Sequence, residues 1–217
     1  MKRLYIIVEG QTEQEFVNQL LAPYLQQHGI YDVKPILIRT SKTGRGGFVN
    51  YQHLRNDAMR LLESTKNDFA VSMFVDFFRI PEVPDKPSWN ALPTHKQQVE
   101  QMEQCIAADI NDRRFIPYIQ LHEFEALLFA SNVGFEALFT ETESTATQQI
   151  VDAFDNPEDI NSHPDTAPSK RIIAIKNNYD KVLEGNLIAA EIGLKTMLNK
   201  CPRFNEWIET LIAVCRE

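Results

Sequence analysis

The sequence predicts an α/β chain: an open, mainly parallel sheet flanked by helices, with an α-helical C-terminal half packed against it. Three observations carry this. Short apolar runs at Leu4–Val8 and Phe69–Val75 have the β-branched and aromatic content of strands buried on both faces. Stretches of helical period separate these runs and the strand-like Val33–Arg39 and Phe115–Leu121, as in a sheet built from strand–helix–strand units. From Asn132 onward only helical periods and turns remain. Residues 1–130 are therefore expected to form the α/β part, and residues 131–217 a helical extension packed on it.

The first strand, Leu4–Val8, ends in Glu9 and is followed by Gly10, which permits a sharp turn. Thr12 with Glu15 three residues on predicts a capped helix start. Phe16, Leu20, Leu21, Tyr24 and Leu25 then share one stripe. Val33–Arg39 predicts the second strand, with Pro35 near its start, where proline is tolerated. Thr40–Phe48 is a loop with Gly44, Gly46 and Gly47 around Lys42 and Arg45. It lacks the spacing of a P-loop. It is either a solvated connector or a loop that folds over a phosphate.

Tyr51–Ser64 has helical spacing at Leu54, Ala58, Leu61 and Leu62. Phe69–Val75 repeats the first strand's design and ends in Asp76. Phe77–Pro93 holds four prolines and lacks a period, as a lid or binding loop does. In it Arg79 is placed to touch a phosphate, and Trp89 either stacks on a base or anchors the loop. His95–Asp109 predicts a helix and Phe115–Leu121 a further strand. The strand is followed by His122-Glu123-Phe124-Glu125 and a helix that buries Phe124, Leu127 and Leu128. Helices are expected at Gln148–Phe154, from Lys170-Arg171 through Ile175, at Asn186–Leu198 and at Phe204–Val214.

Composition narrows the class. The chain has 217 residues, 43% of them hydrophobic, enough for one sizeable core. It has no run of membrane-spanning length and no leader pattern. Three cysteines without metal spacing, Cys105, Cys201 and Cys215, fit a reducing cytoplasm and argue against zinc or a disulfide scaffold. Net charge is −8. Residues 1–120 balance 14 Lys and Arg against 14 Asp and Glu, so the acidity lies in the C-terminal part. That balance argues against a protein that coats nucleic acid. Yet Val33–Asn56 holds five cations, Lys34, Arg39, Lys42, Arg45 and Arg55, and no acid.

The candidate chemistry lies at strand ends. In open α/β sheets ligands bind beyond the carboxyl ends of the strands. Glu9 and Asp76 both sit there, and a carboxylate ending an apolar strand needs a partner. Mg²⁺ (or Mn²⁺) is the natural one for an all-oxygen site. Glu13 lies one turn from Glu9, and Glu123 and Glu125 follow another strand end, so all three are candidate ligands. For Glu13, and more so Glu15, the plainer role is to complement the helix dipole. His122 is either a general acid–base group or a polar helix start. Lys42, Arg45, Arg79, Lys170 and Arg171 are the candidate phosphate contacts.

These same residues carry a resemblance. Ile7-Val8-Glu9-Gly10 with Thr12-Glu13, and Phe74-Val75-Asp76, resemble the Toprim fold of topoisomerases, primases and OLD-type nucleases. More specifically, IVEGQTEQEFV, VDFFRIP, IQLHEFEALLF, PSKRI and IGLKTMLNKCPRFNEWI resemble the bacterial domain-of-unknown-function family 4276, described as Toprim-like. The resemblance implies a Rossmann-like sheet with a Mg²⁺ site, and Glu9 and Asp76 as the Toprim glutamate and the first acid of its Asp-x-Asp pair. Phe78 stands where the second acid is expected; His122, Glu123 or Glu125 could supply the lost ligands, a substitution that is no part of the Toprim motif. The resemblance also implies an ATPase partner and a setting in phage defence.

Two functions are therefore expected in competition. The first is a Mg²⁺-dependent phosphodiesterase, a nuclease acting on DNA or RNA, with Glu9, Asp76 and His122 at the chemistry. The alternative is a non-catalytic Toprim-like binding or regulatory subunit of a defence complex. A weaker third is a nucleotide-binding protein using the glycine loop.

Overall fold

The computed structural model describes residues 3–39, 47–48, 50–63, 68–78, 80–160, 163 and 165–216. Its centre is a five-stranded parallel sheet: β1 (Arg3–Val8), β2 (Val33–Leu37), β3 (Phe69–Asp76), β4 (Phe115–Ile116) and β5 (Ile119–Gln120). The order is β2-β1-β3-β4, and β5 continues along β3 beyond β4. In β1 and β3 nearly every residue is buried, since helices cover both faces of the sheet.

Side-chain alternation divides the core in two. Leu4, Ile6, Val8 and Phe74 join one cluster with Phe16, Phe124, Phe135, Phe204 and Trp207. Ile7, Val71, Met73 and Val75 join the other with Leu54, Trp89, Val99 and Ile106. The first cluster thus draws on strands from the N-terminal half and helices from the C-terminal half. Its helices include α1 (Gln11–Phe16), which runs through a π-helical turn into α2 (Ala22–Gln27), and α6 (Val133–Leu138). Further on come α9 (Leu183–Ile192), α10 (Leu194–Lys200) and α11 (Pro202–Arg216). The second face carries α3 (Tyr51–Leu62), the short α4 (Lys86–Asn90) and α5 (His95–Ile110). Beyond these lie α7 (Glu141–Ala153) and α8 (Pro168–Ile175).

Several local expectations are corrected. The first helix starts two residues early, and its cap is a single bond, Gly10 N–H donating to Glu13 Oε2 at 2.8 Å, in place of the Thr12/Glu15 pair. The strand expected at Phe115–Leu121 is split, because Pro117 cannot donate to a ladder. The helix expected after His122 is a 3₁₀ helix, Phe124–Ala130, with all seven residues buried. The helix expected at Gln148–Phe154 begins at Glu141, capped by Thr140 and Glu143. The one expected at Asn186–Leu198 breaks at Gly193, whose φ is +74°. The segment Phe77–Pro93 contains α4, and Trp89 is buried there, its Nε1 donating to the Pro84 carbonyl at 3.2 Å. Among the described residues no helix is long and apolar enough to cross a membrane.

Candidate functional site

Parallel register sets the site. β1 pairs with β3 so that Val8 lies opposite Phe74, which leaves Glu9 beside the last residues of β3. The Asp76 N–H reaches Glu9 Oε2 at 3.4 Å. The Phe48 amide also donates to the Glu9 carboxylate, while Gly47 N–H holds the Glu9 carbonyl at 2.7 Å. On the other side β5 pairs Gln120 with Asp76. The chain then turns at His122, whose φ of +71° is a left-handed conformation. The turn brings the start of the 3₁₀ helix over the strand end, and Phe124 N–H donates to Asp76 Oδ1 at 2.8 Å.

Glu9, Glu13, Asp76 and Glu125 thus interact electrostatically at one edge of the sheet. Glu125 is wholly buried, and neither of its oxygens accepts a well-directed hydrogen bond. Facing them is a lysine from the turn before α9. Lys181 Nζ lies 3.2 Å from Glu125 Oε2 and 3.6 Å from Asp76 Oδ2.

Burial and mutual repulsion shape the titration of this group. Burial, and then the charge of Glu13, raises the Glu9 pKa. Burial raises the Asp76 pKa well above its ordinary value; Lys181 opposes this, and Glu13, Glu9 and Glu125 add to it. Burial pushes Glu125 up to about 7, against the pull of Lys181. Lys181 is itself raised well above normal by Asp76 and Glu125, which outweigh its desolvation. Its side chain stays 40% exposed while its ammonium is packed among carboxylates.

Three raised carboxyl groups around one ammonium mean that burial and mutual repulsion penalise their ionised forms. An all-oxygen set of this kind suits a hard cation such as Mg²⁺. The ligand positions do not converge on a point, however. Among the described residues no three His, Cys, Asp or Glu side chains are arranged to hold an ion, and it is the ammonium of Lys181 that stands between Asp76 and Glu125.

The family model described as Domain of unknown function (DUF4276) matches residues 8–212. The chain is a member of the DUF4276 family. No curated protein matches it. Solved structures similar to this DUF4276 chain include the C-terminal region of the OLD protein of Xanthomonas campestris pv. campestris, phased with mercury. That structure has a TM-score of 0.44 and 14% identity, over 100% of this chain and 99% of the other. The C-terminal region of the Burkholderia pseudomallei OLD protein gives 0.45 and 16%, over 98% and 99%. Likenesses this loose transfer neither reaction nor residue roles.

Of the other candidate residues in the DUF4276 chain, Glu123 is turned away. Its two oxygens accept from Ser169 N–H at 2.8 Å and Ser169 Oγ at 3.1 Å, which ties it to the start of α8. His122 lies on the α5 side. It is buried, its ring is 5.5 Å from that of His95, and it is hydrogen-bonded to the Glu158 backbone. Burial and His95 lower its pKa to about 4, so it is neutral at physiological pH. Lys170 is exposed on α8. Arg171 donates to the Thr166 carbonyl at 2.8 Å and covers the Phe154 ring at 5.4 Å. Lys42, Arg45 and Arg79 lie outside the described residues.

Lys181 and Tyr179 escaped the sequence reading. Tyr179 packs beside Gly185, its hydroxyl is buried without a hydrogen-bond partner, and burial and Glu125 raise its pKa. The signal was present but weak: a lysine and a tyrosine in a turn just before an apolar helix look like surface punctuation.

Proposed function

We propose that the chain is a Mg²⁺-dependent phosphodiesterase acting on nucleic acid, DNA or RNA. The observation that supports the reading is the meeting of Glu9, Asp76 and Glu125 at one sheet edge, with their charge only partly offset by Lys181. To hold Mg²⁺ (or Mn²⁺), Glu9, Asp76 and Glu125, with Glu13 at the helix start, would have to close on the ion and displace the Lys181 ammonium from between them. Bound there, the ion would supply Lewis-acid polarisation of the phosphate and a more acidic water.

The chain's own groups do the rest. Lys181 is a cation with an exposed side chain, suited to a phosphate oxygen, where charge grows in the transition state. His122, neutral at physiological pH, is better suited to holding the Phe77–Phe78 turn through its carbonyl, which accepts from Phe78 N–H at 2.8 Å. Glu13 is divided between this role and its cap on Gly10. Lys170 remains a candidate for a more distant phosphate. A cytoplasmic setting belongs to the same reading, supported by three buried free thiols. So does an ATPase partner in phage defence, which rests on the family resemblance alone.

A second reading has its own support. Phe78 occupies the place of a second acid, and the Lys181 ammonium already lies between Asp76 and Glu125. A lysine that permanently replaces the metal would leave a binding or regulatory subunit.

The test is incubation of the full chain with plasmid, single-stranded DNA and RNA in Mg²⁺ or Mn²⁺, beside Glu9→Gln and Asp76→Asn. Cleavage that is lost in both variants supports the enzyme. No cleavage of any substrate, with a melting temperature indifferent to either metal, supports the subunit.

A further inference from the structure

One hollow near the strand ends is not used by this chemistry. β3 leaves Asp76 on the α9 side of the sheet and, one residue later, turns the half-buried Phe77 to the opposite face, against the second core cluster. There a cavity of about 340 Å³ opens, walled by Phe77, Trp89, His95 and Gln98. The Phe77 and His95 rings stand 5.2 Å apart. His95 and Asn90 are exposed at the rim, and Trp89 is fixed from behind by its hydrogen bond to Pro84. The one acid in the lining, Glu82, is paired with Lys86, so the rim does not repel an anion.

We propose that this hollow is a base-stacking subsite for single-stranded nucleic acid, a reading that rests on the phosphodiesterase proposal above. The size is within the range of small-ligand pockets. The half-buried Phe77 ring suits the flat face of any base, whereas the exposed Asn90 amide and His95 imidazole suit base edges. Its position decides the substrate class. Asp76 and Phe77 are consecutive, and His122 links the two faces: its carbonyl holds Phe78, and its ring approaches His95. A strand crossing the sheet edge with a phosphate at the acids therefore sets a neighbouring base on the α5 side. A base inside a duplex cannot enter, since it is stacked and paired; it must be unpaired or turned out.

The test is fluorescence anisotropy of the full chain with a short labelled oligothymidylate, and with an abasic chain of the same length. Ca²⁺ replaces Mg²⁺ so that binding is read without turnover. Phe77→Ala is expected to weaken oligothymidylate binding roughly fivefold to a hundredfold, with the abasic chain unaffected and Phe77→Trp restoring affinity. His95→Ala, an exposed rim change, is expected to weaken it in the same direction, which keeps the test open should Phe77→Ala fold poorly. Equal binding of the base-bearing and abasic chains by the wild type overturns the subsite, as does no oligonucleotide binding at all, or full affinity in both variants. Base-dependent binding without cleavage in Mg²⁺ or Mn²⁺ overturns the phosphodiesterase reading alone. Cleavage indifferent to Phe77 and His95 overturns the subsite alone.

Discussion

The ammonium of Lys181 lies 3.2 Å from Glu125 Oε2, joining a turn before α9 to the first turn of a 3₁₀ helix more than fifty positions away in the chain. Lys181 also reaches Asp76, so it gathers one acid from the end of β3 and one from the 3₁₀ helix that follows β5. Among the described residues it is the one cation that forms ion pairs with these carboxylates. Substituting it separates charge balance from chemistry. Lys181→Met is expected to abolish cleavage, by at least about a hundredfold, while Mg²⁺ still raises the melting temperature. Cleavage within threefold of wild type would remove Lys181 from the phosphate.

Glu125→Gln changes charge and keeps shape. The wild-type carboxylate is wholly buried and lacks well-directed hydrogen bonds, so a neutral amide relieves the desolvation of a charge and offsets the loss of its ion pair with Lys181. Without metal the variant is expected to be as stable as wild type or more so, by roughly 1 kcal/mol. With Mg²⁺ its melting temperature is expected to rise less than that of wild type. A variant that melts lower without metal and keeps the full Mg²⁺ shift would assign Glu125 a purely structural role.

His122 predicts a pH dependence of stability. Burial and His95 lower its folded pKa to about 4, below the unfolded value of 6.5. Between these values the unfolded chain binds more protons, so acid favours unfolding. Stability is therefore lost as pH falls from about 6.5 to about 4, by on the order of 2–3 kcal/mol. His122→Asn, which tolerates the left-handed backbone, is expected to flatten that part of the profile in urea melts at a series of pH values. Parallel profiles for the two proteins would show that His122 gains its proton without penalty.

Gly134→Ala tests the close crossing of α6 and α9. A Cβ at Gly134 would stand 2.5 Å from the Ile188 carbonyl oxygen and 2.8 Å from its side chain. Backbone cannot yield there cheaply, so the variant is expected to lose about 1–3 kcal/mol, read from denaturant midpoints. Unchanged midpoints would mean that the two helices slide apart freely. Because α9 also carries Asn186, whose Nδ2 donates to the Thr12 carbonyl beside Glu13 at 3.2 Å, any sliding would be transmitted to the acidic cluster.

Much of this molecule is written in local patterns. The apolar runs ending at Glu9 and Asp76 identify central strands with acids at their carboxyl ends, because strand patterning is a local rule, whereas the parallel register that sets the two ends side by side is tertiary. Gly193 and Pro117 are equally visible in the sequence, yet the apolar period runs through both and masks the places where they divide a helix and a strand. The Thr140/Glu143 cap was likewise plain in the sequence, but it precedes a helix whose one fully buried residue is Thr147, which gave the period little contrast.

What the sequence determined by itself was the parallel sheet, the family, and the presence of carboxylates at strand ends, since each follows from neighbours in the chain. Tertiary structure alone decided which acids meet. It turned Glu123 to Ser169 and Glu125 to Lys181, although the two glutamates are two residues apart. The 3₁₀ geometry and the packing of α8 and α9 against it sort them, and contacts across such distances are fixed by core packing, which no short period encodes.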